Sequence, residues 1–153
     1  MKFDELLAGL GKTLGVELPN GDGSCTLGVD DMTVTMQYLD TSDLLCTYAE
    51  IGEPPPEGLE QLLSAMLNAN HLFQGTDGAT ISRDPDTGKF FLCRCDALEL
   101  LNVEDCAKML ERFVNVLETW RKLLADYRPM VDEHQLESEI EPPPFGGNGF
   151  MTV

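Results

Sequence analysis

Positive charge is scarce in this sequence. Ten Lys and Arg stand against 27 Asp and Glu, so the chain of 153 residues carries a formal charge of -17. The deficit is uneven: residues 1–82 hold 2 basic against 13 acidic side chains, residues 83–128 hold 8 against 9, and residues 129–153 hold 0 against 5. Such a field repels phosphate backbones and anionic headgroups, so neither nucleic acid nor a membrane surface is an expected partner. It suits a basic or mixed-charge protein partner, and it equally serves solubility. Long apolar runs are missing too, which excludes a spanning helix. At the start, MKFDELLAGLGKTL places Asp4 and Glu5 where a secretory signal needs basic residues, so no targeting segment is expected.

Chemistry-bearing residues are equally thin. Histidine occurs only at His71 and His134, and neither has a Cys or Ser in a sequence context suggesting a nucleophile. Cysteine is present at Cys25, Cys46, Cys93, Cys95 and Cys106, an odd count without a CxxC pair. That is the usage of a reducing cytosol, with thiols serving as small apolar side chains. Cys93 and Cys95 share one face if they lie on a strand, but no further ligand accompanies them, so no metal is expected. Gly11-Lys12-Thr13 lacks the earlier glycine of a phosphate-binding loop, since Leu6 stands there. Asp84-Pro85-Asp86-Thr87-Gly88 lacks the third acid and the closing Glu of a calcium loop and reads as a hairpin turn. The acids are scattered, with no pair set for acid–base work. The sequence therefore predicts no enzyme, no cofactor and no metal.

What is present is periodicity around one core, the scale of a single domain. Phe3, Leu6, Leu7, Leu10 and Leu14 repeat at helical spacing over residues 2–15, although Gly9 and Gly11 each weaken that helix by roughly 1 kcal/mol. Pro19 to Gly23 breaks the chain. Cys25 to Val29, the alternating Met32, Val34, Met36 and Tyr38, and Leu44 to Glu50 predict three strands joined by short turns, an antiparallel meander. After Pro54-Pro55-Pro56, the positions Leu59, Leu62, Leu63, Met66, Leu67, Asn70 and Phe73 predict a second helix closed by Gly75. Ala79 to Arg83 and Lys89 to Cys95 predict a hairpin.

The last helix has the longest seam. Asn102 caps it, and Val103, Cys106, Leu110, Phe113, Leu117, Trp120, Leu124 and Tyr127 run down one side, widened by Ala107 and Val114. A seam of this kind serves a coiled coil or a helix laid on a sheet, and the surrounding strands favour the sheet. Pro129 ends the helix. The remainder lacks Lys and Arg and is rich in Pro and Gly near its end, so residues 1–128 are expected to form the domain and 129–153 a disordered acidic tail.

The order is thus α+β: helix, three-strand meander, helix, two-strand hairpin, helix. With Leu62-Leu63, Met66-Leu67-Asn68-Ala69-Asn70, Phe73, Gly75, Gly78-Ala79-Thr80, Phe91-Leu92 and Trp120-Arg121 in that order, residues 2–127 resemble the class I chaperones of bacterial type III secretion, the Tir-chaperone-like family. The acidic tail is outside the shared pattern. The resemblance implies a cytoplasmic bacterial homodimer that works without ATP and binds the N-terminal segment of a secreted effector in extended form. It places the dimer contact at Leu63, Met66, Leu67 and Ile81. It places the effector face at Leu7, Leu10, Leu14, Val34, Met36 and Leu45. A non-secretion adaptor or regulator of the same fold is the alternative. Seven methionines suit an adaptable binding surface or the filling of core gaps.

Overall fold

The computed structural model describes residues 2–130. The expected tail therefore lies outside the described residues, apart from Pro129 and Met130. Ten elements follow one another among the described residues. Helix α1 spans Phe3–Leu14, then come β1 (Ser24–Val29), β2 (Met32–Leu39) and β3 (Leu44–Gly52). Helix α2 (Leu59–Asn70) leads through a 3-10 turn, His71–Phe73, into β4 (Thr80–Arg83) and β5 (Phe90–Ala97). A second short 3-10 turn, Leu98–Leu100, precedes α3 (Val103–Ala125).

All five strands join one antiparallel sheet in the order β1-β2-β3-β5-β4. Neighbouring residues on a strand point to opposite faces, so the register sorts the sheet into two surfaces. Cys25, Met36, Thr47 and Arg94 lie side by side on one, as do Ile81, Leu92 and Ala49. This face is covered by α1, through Phe3, Leu6, Leu7 and Leu10, and by α3, through Cys106, Met109, Leu110, Phe113, Leu117 and Trp120. Each fully buried apolar side chain of this kind contributes roughly 1.5–3 kcal/mol. The seam of α3 is therefore a sheet-packing seam. Met32, Met36, Met66 and Met109 are all buried, which assigns them to gap-filling.

Local chemistry fixes the boundaries. Asn102 caps α3 by accepting from the Asp105 N–H at 2.8 Å. Asp84 accepts from the Asp86 N–H at 3.0 Å and the Thr87 hydroxyl at 2.7 Å, an Asx-type turn that closes the β4–β5 hairpin. The weakness expected of α1 has a packing counterpart. A Cβ on Gly11 would stand 2.6 Å from the Val16 carbonyl oxygen, so only glycine lets the following loop fold back against the helix.

One boundary differs from the sequence reading. Helix α2 stops at Asn70, and the chain then turns left-handed at Leu72 (φ 52) and Phe73 (φ 57). Phe73 is thereby removed from the helical stripe to which its spacing assigned it.

Candidate partner-binding surfaces

The segment from Leu67 to Ala79 folds into a clasped turn at the edge of the sheet. Asn70, in the last turn of α2, donates from Nδ2 to the Ile81 carbonyl at 3.0 Å and accepts from the Ile81 N–H at 2.9 Å. The Gly75 N–H returns to the Ala69 carbonyl at 2.9 Å, and the Trp120 indole donates to the Gly75 carbonyl at 2.9 Å. Asp77 forms a bidentate ion pair with Arg112, with Nε to Oδ2 at 2.8 Å. The Arg112 guanidinium hydrogen-bonded to it holds the Asp77 carboxyl below its ordinary value. These ties anchor both sides of the turn to β4 and α3. Its apolar side chains face outward: Leu67, Leu72 and Phe73 are 69%, 74% and 52% exposed. The sum is an apolar patch on rigid backbone, the arrangement of a contact surface.

The four dimer positions expected from the resemblance divide on this geometry. Leu67 is on the patch and Leu63 is half-buried beside it, whereas Met66 and Ile81 are buried within the protomer. Met66 and Ile81 support the patch from beneath, as part of the protomer's core. Leu72 and Phe73 belong to the surface instead. The spacing of Phe73 could not reveal this, because it continues the stripe of α2.

The six effector positions also divide by burial. Leu7, Leu10, Val34, Met36 and Leu45 are all essentially inaccessible, between 0% and 1% exposed. The cause is the register: the inward sheet face carrying Val34, Met36 and Leu45 is the one that α1 and α3 cover. In the single chain these side chains belong to the core. Leu14 differs, at 42% exposed, because it ends α1 beyond the edge of the sheet.

Leu14 marks an open apolar groove of about 710 Å³, bounded by the end of α1, strand β1 and the first half of α3. Leu27 and Val29 form its floor, Val103, Ala107, Leu110 and Val114 its far wall, and Glu104, Lys108 and Glu111 its rim. Among the described residues strand β1 pairs only with β2, so the groove runs beside a sheet edge with main-chain groups left for an added strand. Apolar pockets next to an unpaired edge can hold an extended polypeptide: the edge binds its backbone, and the pockets take alternate side chains.

Nothing comparable exists for catalysis among the described residues. No group of three His, Cys, Asp or Glu is placed to hold a metal. The Arg94–Asp96 pair, bonded at 2.8 and 2.9 Å, lies partly buried on the covered face of the sheet. Cys106 is likewise enclosed, its thiol pushed up to about 11 by burial and by the Asp96 charge. No helix among these residues is long and apolar enough to cross a membrane.

One finding departs from the thiol pattern expected of a reducing cytosol. Cys46 and Cys95 are joined as a disulfide between β3 and β5. Cys25 and Cys106 do serve as buried apolar side chains. The departure arises because pairing depends on which strands become neighbours, and β3 and β5 are separated by α2 and β4.

Two helices on one face of a five-stranded sheet, a third helix at its edge and an apolar groove beside β1 define an α+β fold of the secretion-chaperone type. The model of the Tir chaperone protein (CesT) family matches residues 5–121, and the chain belongs to that family. Among solved structures, it resembles a chain of the ExsC–ExsE complex with a TM-score of 0.67 at 23% identity, covering 79% of this chain and 92% of that one. A chain of the ExoU–SpcU type III secretion complex of Pseudomonas aeruginosa matches with a TM-score of 0.65 at 18% identity, covering 82% and 100%. The E. coli protein YbjN, a candidate transcription regulator, matches with a TM-score of 0.60 at 13% identity, covering 81% and 93%. At these identities the likeness is one of fold. No curated protein sequence matches the chain.

Proposed function

We propose that this chain is a non-catalytic, ATP-independent type III secretion chaperone of the bacterial cytoplasm that holds the N-terminal segment of a secreted effector in extended form. The observation that carries this reading is the apolar groove beside the free edge of β1, in a member of the Tir chaperone family. The effector's apolar side chains enter between Leu14, Leu27 and Val114, and its backbone adds to β1. The chain's charge of -17 favours a segment with basic residues around those anchors. Further support comes from relatives of the same fold that were solved as chaperone–effector assemblies, SchA with HopA1 among them. The protein works as a homodimer joined through the patch of Leu67, Leu72 and Phe73.

A second reading rests on YbjN, which carries the same fold outside secretion: a non-secretion adaptor or regulator. Capture from the native cytosol separates the two. The chaperone reading expects a partner held by its unfolded N-terminal segment and lost when Leu14→Glu or Val114→Glu fills the groove with charge. An adaptor would retain a folded partner.

A further inference from the structure

We propose that Cys46 and Cys95 form a reversible thiol–disulfide couple, a redox modification site on the bare face of the sheet that exchanges with small dithiols and disulfides.

Cys46 and Cys95 stand directly opposite each other on β3 and β5, with Cα atoms 4.3 Å apart. That spacing belongs to the non-hydrogen-bonded site of an antiparallel ladder, where facing side chains come closest. Both point away from α1 and α3. Their neighbours on this face are Gln37, Tyr48 and Cys93, each half-buried or exposed. Cys95 is itself exposed, so an incoming thiolate can reach its sulfur without unfolding the sheet.

The other cysteines set the contrast. Cys25 and Cys106 are enclosed at 3% and 0% exposure, which keeps their thiols protonated and out of reach. Cys93 lies two residues before Cys95 on the same strand and face, with its sulfur 3.4 Å from the Ser82 hydroxyl, and it is free. Three of the five cysteines thus share the helix-free surface, and two of them are paired.

The location gives the bond a consequence. It closes a sequence separation of 49 residues that contains α2, the clasped turn and β4. Strand β3 ends the meander that carries the groove, and β5 belongs to the hairpin beside the apolar patch. The cystine pins these two halves together at the centre of the sheet. In the reducing direction, a dithiol's thiolate attacks Cys95 Sγ and the Sγ–Sγ bond breaks. Cys46 leaves as a thiolate and takes a proton. The second thiol of the dithiol then displaces Cys95, so the dithiol becomes the disulfide and the protein gains two electrons. Oxidation by a small disulfide runs the same steps backwards.

The test uses the full-length protein equilibrated in mixtures of reduced and oxidised dithiothreitol from reducing to oxidising, alkylated under native conditions and weighed intact with peptide mapping. Oxidised protein should lack the mass of two hydrogens and take label only at Cys93. Reduced protein should take label at Cys46, Cys93 and Cys95, and the change should reverse while circular dichroism stays native. Reduction should lower the wild-type melting temperature by roughly 10 °C, as expected for opening a loop of this length, and leave Cys46→Ser unmoved. Labelling of Cys46 and Cys95 in every buffer would overturn the proposal. So would a bond that no buffer opens in the folded protein. Should Cys46→Ser fail to fold, the wild-type mass and label pattern decides alone.

Discussion

Asn70 and Ile81 are paired as two strands would be, with the side-chain amide donating to the Ile81 carbonyl at 3.0 Å and accepting from its N–H at 2.9 Å. The end of α2 thereby stands in for one more residue of sheet along β4, an edge strand that would otherwise leave these groups unpaired. Asn70→Ala should cost roughly 1–3 kcal/mol in a urea melt, because a half-buried donor and acceptor lose their partners together. Asn70→Asp should restore only part of it, since a carboxylate accepts from Ile81 N–H but cannot donate. Equal stability of all three proteins would remove the clasp from the account.

The ion pair between Asp77 and Arg112 gives the same turn a pH dependence. Hydrogen bonding to Arg112 lowers the Asp77 pKa in the folded state relative to the unfolded chain. A depressed carboxyl pKa contributes stability that is present above the unfolded value and lost as pH falls through the folded value. The midpoint of Asp77→Asn should therefore lie below wild type at neutral pH, and the gap should begin to narrow below about pH 4 and close once the pH falls past the depressed folded value. A gap that is the same at both pH values would assign the effect of the substitution to something other than charge.

Oligomeric state tests the apolar patch. Light scattering should report twice the chain mass of 16.9 kDa. Leu67→Glu or Phe73→Glu should yield a folded monomer, because both side chains are exposed in the protomer and a charge there is buried only by association. Met66→Glu should instead unfold the chain, given its 3% exposure. A wild-type monomer at tens of micromolar would refute this use of the patch.

Much of the fold was legible because burial leaves periodic marks. The seam from Val103 to Tyr127, the alternation from Met32 to Tyr38 and the Asn102 cap each placed an element close to its observed bounds. The candidate site was less legible, because sequence distinguishes apolar from polar more readily than covered from bare. Val34 and Leu27 look alike in a strand, yet α1 and α3 cover the first and leave the second lining a groove. Phe73 was hidden because it continues the helical spacing, although the chain turns left-handed at Leu72 and Phe73. The Cys46–Cys95 pairing depends on β3 and β5 becoming neighbours, which strand order alone decides. For the same reason Leu10→Ala is a core substitution and should cost roughly 2–5 kcal/mol of folding stability without touching a partner surface.

The central claim is that the groove beside β1 captures an unfolded N-terminal segment. Hydrogen exchange on the complex captured from native cytosol tests it most directly, with Leu14→Glu and Val114→Glu as folded controls. The account predicts new protection along β1 and the first half of α3, matched by protection of an N-terminal partner segment that exchanges freely when alone. It predicts at least ~2 kcal/mol weaker capture by either control, about a thirtyfold loss of affinity, and no effect of ATP. Protection confined to a folded partner domain, undiminished capture by the groove variants, or release driven by ATP from this protein alone would contradict it.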